Sequence, residues 1–149
     1  MPLEGETNRS IDNPTAGDHP FARADLVFYG VDHSGPSFEA RVFLNEPDAN
    51  VSTARDATAF AGSFTVFGHA GCAGDVGHCD VPTGPRDPFD RRPPHALTPQ
   101  TKTVIVTEAL QRVTDRQLVI TIVAVAPGAD GPVESDALEF ESFRLLTFA

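Results

Sequence analysis

The feature that most constrains the fold is a series of short apolar segments, each bounded by residues that favour turns. In the clearest one, residues 37–45, apolar side chains occupy every second position. This is the period of a β-strand with one buried face. We predict that Glu39, Arg41 and Asn45 lie on the opposite, polar face, with Phe43 as the one apolar exception there.

Other segments have the composition of strands, with β-branched and aromatic residues and flanking Gly or Pro. Residues 107–113 favour a short helix, with Thr107 as its N-cap. The other predicted strands are 24–32, 60–68, 101–106, 117–125 and 138–148. Because strands and helices do not alternate, we predict an all-β fold, an antiparallel β-sandwich of about six to seven strands with one short helix and a long irregular loop.

The length of 149 residues is typical of one domain with its own core. Residues 1–23 are polar and rich in proline, which predicts a flexible polar N-terminal arm. We therefore predict a single β-sandwich domain over residues 24–149.

The charge balance argues against several classes of partner. The chain has 11 basic and 21 acidic residues and a formal net charge of −10. Such a charge repels phosphate backbones and anionic lipids, so we expect neither nucleic acid nor membrane as a partner. The chain as given contains no apolar run long enough to span a bilayer and no secretory signal pattern, and we expect it to be cytoplasmic.

The densest group of metal-binding residue types lies in a glycine-rich loop after the third predicted strand. It contains His69, Cys72, His78 and Cys79. Thiolate and imidazole ligands suit Cu(I) or Zn(II), although this spacing is not that of a zinc finger. Two alternatives stay open for the cysteines: a Cys72–Cys79 disulfide that closes a small loop, or two structural free thiols.

The remaining candidate residues give weaker signals. Nucleophile-elbow, nucleotide-binding and zinc-protease motifs are absent from the sequence, and we predict no catalytic residues. His33 and His95 are predicted to be surface residues of loops. Phe64, Val66 and Phe67 are predicted to belong to the core, with the alternative that a Phe at the strand end acts as a plug in another domain's pocket.

Three segments carry a resemblance to a known family: the A-G-S-F strand at Ala61–Phe64, the strand and short helix at Lys102–Val113, and the strand at Leu118–Val125. In this order they resemble the C-terminal β-sandwich domain of tyrosinases, plant polyphenol oxidases and molluscan haemocyanins. The resemblance implies a domain that does not catalyse but packs over the entrance of a di-copper site. There a placeholder side chain blocks substrate, and Phe67 and His69 are our candidates for it.

The same resemblance implies the partner, which is a tyrosinase-like di-copper catalytic domain in cis or in trans. Oxidase chemistry in that family needs a pair of copper ions held by histidines, most of them on helices. This chain has only five histidines, spread over loops and strands. We therefore predict a non-catalytic accessory domain or subunit that requires no cofactor of its own and also assists copper loading.

Two other functions compete with this hypothesis. One is a stand-alone copper-binding or other metal-binding protein of the chaperone type, which would use the cysteine and histidine loop. The other is a generic β-sandwich module for protein interaction. A homo-oligomer is compatible with each of them.

Overall fold

The computed structural model describes residues 6–17, 20–70, 77, 79–80, 83–85, 87–89, 96–128 and 137–149. These residues form an all-β domain, as predicted, with a single short helix in the described part. The elements in chain order are β1 (Glu6–Asp12), β2 (Arg23–Val31), β3 (Phe38–Leu44), β4 (Phe60–Val66), β5 (Gln100–Ile105), α1 (Thr107–Gln111), β6 (Gln117–Val125) and β7 (Ser142–Phe148). Over the described residues, we find no helix that is both long and apolar enough to cross a membrane.

The strands form two antiparallel sheets. One has four strands in the order β1-β6-β3-β4, and the other has three in the order β5-β2-β7. The sheets face each other through alternate residues of their strands, because successive side chains of a strand point to opposite faces. The sheets approach most closely at β4 and β5, where a Cβ on Gly62 would lie 2.6 Å from Cγ1 of Val104.

The core between the sheets is rich in phenylalanine. Phe28 of β2 is fully buried, and its ring centroid lies 5.0 Å from that of Phe64 and 5.3 Å from that of Phe140. Ile120 and Ile122 fill the same layer from the central strand β6. Each large buried apolar side chain stabilises the fold by roughly 1.5–3 kcal/mol relative to an exposed one.

The prediction of a flexible arm over residues 1–23 is wrong for β1. This strand pairs with β6 along its whole length, from Glu6 opposite Val123 to Asp12 opposite Gln117. Asn13 then anchors the following turn, since its amide Nδ2 donates to the carbonyl of Asp115 at 2.9 Å. An edge strand is stabilised by backbone hydrogen bonds on one side, so its side chains need not be apolar.

The prediction that one face of β3 is exposed is also wrong, because all seven residues of β3 are buried. The segment between β3 and β4 folds back over this face and forms a second apolar cluster, in which Phe43 is fully buried with Val123 and Val125. Glu39 and Arg41 are only 8% and 5% exposed beneath it. The single apolar residue on the polar face was therefore the signal that this face is covered.

Candidate functional site

The candidate site begins where β4 ends. The strand alternates between core and solvent, so that Val66 is buried while the next side chain, Phe67, is 78% exposed. Phe64 and Val66 lie in the core as predicted, but the same prediction for Phe67 is wrong. An aromatic ring in this position lies on the surface, as the plug alternative requires.

Gly68 fixes the chain directly after Phe67. Its N–H donates to Oγ of Ser37 at 2.9 Å. A Cβ at this position would lie only 2.2 Å from the carbonyl oxygen of Gly35 and from the carbonyl carbon of Pro36. Glycine is therefore required here because the backbone of the β2–β3 turn occupies the space of any side chain.

His69 continues the attachment to the same turn. Its N–H donates to the carbonyl of His33 at 2.9 Å, and the N–H of Ala70 donates to the carbonyl of Gly35, also at 2.9 Å. The ring of His69 meets the ring of Phe67 at a centroid distance of 5.5 Å and an angle of 81°. The exposed phenylalanine is thus supported from one side by an edge-to-face aromatic contact, which is a favourable geometry.

His33 packs against His69 and is only 7% exposed, so it is not the surface residue that we predicted. Its Nε2 lies 2.8 Å from the carbonyl oxygen of Thr98. A carbonyl only accepts hydrogen bonds, so Nε2 is the donor in this contact. Nδ1 is buried and has no hydrogen-bond partner among the described residues.

The predicted metal ligands fall only partly within the described residues. His69 and Cys79 are described, whereas Cys72 and His78 lie outside, as does His95. The N–H of Leu97 donates to the carbonyl of Cys79 at 3.1 Å, which ties the loop to the segment before β5. Cys79 is disulfide-bonded, and a sulfur in that state is not a thiolate ligand.

Within the described part of the chain, no group of three or more His, Cys, Asp and Glu side chains is arranged to hold a metal ion. The four-residue ligand set extends beyond that part and stays a prediction. What the structure brings next to His69 is His33, and no spacing in the sequence connects these two residues.

A buried group of charged side chains lies on the covered face of β3, where Glu39 is opposite Thr65 of β4. Glu39 accepts hydrogen bonds from Nε of Arg41 at 3.2 Å and from Arg55 of the covering segment. Burial alone raises the pKa of Glu39, but the hydrogen bonds from Arg55, Ser63 and Arg41 outweigh it, and the pKa is lowered. This group attaches the covering segment to the sheet.

A cleft of about 920 Å³ lies between the N-terminal segment and α1, and none of the described residues that line it is ionisable. These described residues supply no acid–base pair. The residues around it are Thr15, Gly17, Pro20, Phe21, Leu110, Gln111, Val113 and Thr114.

No family model and no curated protein matches the chain. Solved structures do match over nearly its whole length. A recombinantly expressed latent aurone synthase (polyphenol oxidase) is 14% identical, with a TM-score of 0.58, over 99% of this chain and 25% of that one. The same enzyme from its natural source gives 14% identity and a TM-score of 0.60, over 98% of this chain and 25% of that one.

A latent apple tyrosinase is 15% identical, with a TM-score of 0.59, over 99% of this chain and 27% of that one. The chain therefore spans about a quarter of the length of these structures. At such low identity the similarity shows the fold, and it confirms that this fold is found in latent polyphenol oxidases and tyrosinases.

Proposed function

We propose that the chain is a non-catalytic accessory domain that covers the copper site of a tyrosinase-like di-copper domain, either in cis or as a separate subunit. The observation that carries the proposal is the fold match, which takes in nearly all of this chain and a quarter of each matched enzyme. Each of those enzymes is a latent form. A fold that occurs in latent enzymes is suited to a domain that restrains enzymatic activity.

Phe67 and His69 are the residues that we assign to the placeholder. Phe67 presents an apolar ring to solvent, and an enzyme that oxidises phenols has a pocket for such a ring. The attachment of Gly68 and His69 to the β2–β3 turn limits the motion of this ring before it binds. A group that is already ordered loses less conformational entropy on docking, so its binding is tighter.

The test combines the chain with the di-copper enzyme encoded beside it or joined to it, and follows the initial rate of phenol oxidation. We expect the chain to lower kcat/KM and Phe67→Ala to restore much of the activity. Phe89→Ala is the matched control. Phe89 is also an exposed phenylalanine, at 88%, but it lies in the irregular connection between β4 and β5. Activity that is the same with and without the chain contradicts the proposal.

Copper loading is a separate part of the proposal and needs a separate readout. Copper per enzyme is measured after co-expression with and without the chain. A lower copper content in its absence supports assistance in loading, whereas equal content limits the role to covering the site. Neither result depends on the rate measurements.

A further inference from the structure

The outer edge of β7 is free in the described structure. In the three-stranded sheet, β7 is hydrogen-bonded to β2, and no described strand pairs with its other side. A free edge carries a row of backbone N–H and C=O groups that can pair with another strand. The question is whether this edge is protected against such pairing.

The other three sheet edges are protected in recognisable ways. β1 carries the charged residues Arg9 and Asp12, and β5 carries Lys102 in its middle. β4 is close to β5, with Gly62 against Val104. Charges and close cover are the devices by which natural sheets avoid edge pairing.

β7 is less protected than these edges, because it has a single charge, Arg144, and no described strand lies close beside its free side. Its sequence, SFRLLTF, contains no proline and one charge, and it is seven residues long. None of its residues is buried, although it has four large apolar side chains. Leu146 and Phe148 on its outer face are 37% and 46% exposed.

We propose that β7 pairs antiparallel with β7 of a second copy, about a twofold axis at Leu145, to give a continuous six-stranded sheet. A twofold interface must be complementary to itself. In this register Arg144 lies opposite Leu146 of the other copy, Ser142 opposite Phe148, and Phe143 opposite Thr147. Each pair shares one face, and no charged residue lies opposite another.

The charges within the paired strands do not oppose pairing at this edge. With a net charge of −10, two copies repel each other wherever acidic faces meet. The single charged residue of β7 is basic, and the nearest acid across the sheet, Asp25 opposite Leu146, is paired with Arg23 at 2.7 Å. Pairing through β7 therefore brings no acidic side chain of β2 or β7 close to another without a basic partner.

The proposal is tested by sedimentation equilibrium of the full chain from low micromolar to the highest soluble concentration. We expect a monomer–dimer equilibrium with a limiting mass of twice 15.9 kDa. Leu146→Lys places a lysine opposite Arg144 of the other copy, in two symmetric pairs, and should weaken dimerisation about tenfold or more. Adding Arg144→Glu creates opposite charges in the same pairs and should restore it.

Ile105→Lys is the matched control. Ile105 is 57% exposed and lies on the same sheet face, opposite Asp25, but on the far edge strand β5. It should leave dimerisation unchanged, and circular dichroism verifies that each variant is folded. A chain that is monomeric at every concentration, or a dimer that tolerates Leu146→Lys, overturns the proposal. Failure of the double variant to recover dimerisation rejects the register. None of these results depends on the proposed function.

Discussion

His69 donates its N–H to the carbonyl of His33 at 2.9 Å, and the two imidazole rings meet edge to face with their centroids 5.1 Å apart. This contact joins the end of β4 to the turn between β2 and β3. It closes one end of the sandwich and holds Phe67 on the surface beside it. The candidate placeholder is thus positioned by backbone contacts.

Gly68 provides the sharpest test of that arrangement. Gly68→Ala would place a Cβ against the backbone of Gly35 and Pro36, and backbone cannot move aside as a flexible side chain can. We expect the free energy of unfolding to fall by about 2 kcal/mol or more. Urea denaturation followed by circular dichroism measures it.

The matched control for this variant is Gly35→Ala, in the facing turn, where an added Cβ meets nothing within 4 Å. Its free energy of unfolding should change by only about 0.5 kcal/mol. Equal urea midpoints for the two variants would contradict the steric explanation.

Glu39 predicts how stability depends on pH. Its pKa in the folded state is below the ordinary value of 4.5, so folding favours the ionised form. The resulting stabilisation is complete above that ordinary pKa, declines as the pH falls below it, and is lost once the pH is below the folded-state pKa. Denaturation at a series of pH values should show this decline.

Glu39→Gln removes the titration and the carboxylate that both Arg41 and Arg55 contact. We expect a loss of about 3 kcal/mol at neutral pH, with a difference from the wild type that narrows in acid. Asp56→Asn, in the exposed part of the covering segment, is the control and should be nearly neutral. A Glu39→Gln difference that stays constant down to strongly acidic pH would refute the linkage.

The sequence predicted most of the strands because apolar, β-branched and aromatic residues are concentrated in the segments that are buried in a sheet. The strand at residues 37–45 corresponds to β3 and that at 117–125 to β6. β1 was not predicted because an edge strand is stabilised mainly by backbone hydrogen bonds to the neighbouring strand. A polar segment such as ETNRSID carries no side-chain signal of that pairing.

The site was harder to predict, since it depends on which residues meet in space. Phe67 is one position past the last buried residue of β4, and its exposure depends on where the strand ends. His33 is buried because the segments that contain His69 and Thr98 pack over it from distant parts of the chain. Spacing along the chain contains no information about such contacts.

Asn45 gives a further prediction. Its backbone is left-handed, with φ at 54°, and its side chain accepts from the N–H of Val119 at 2.8 Å and donates to Asp115 at 3.0 Å. Asn45→Ala loses both hydrogen bonds and also strains the backbone, and should cost about 2–3 kcal/mol. Asn45→Gly avoids the strain and should cost less. If thermal denaturation finds Asn45→Gly no more stable than Asn45→Ala, backbone strain does not contribute to the cost of the alanine variant.

The last prediction concerns the cysteine loop and separates metal handling from a purely structural role. Because Cys79 is disulfide-bonded, we expect the oxidised chain to offer no thiolate there and not to bind Cu(I) tightly. After reduction, His69, Cys72, His78 and Cys79 are the predicted ligands, and an anaerobic competition titration should detect stoichiometric Cu(I).

The double variant Cys72→Ser with Cys79→Ser should abolish that binding, and His69→Ala should weaken it. Thr65→Ala is the control, since Thr65 is an exposed residue of β4 and is not one of the predicted ligands. Soft sulfur ligands select Cu(I), so the loss should be larger for the cysteines than for the histidine. If the reduced chain binds no Cu(I), the loop has a structural role, and a disulfide that closes so short a loop would still stabilise the fold by about 2–3 kcal/mol.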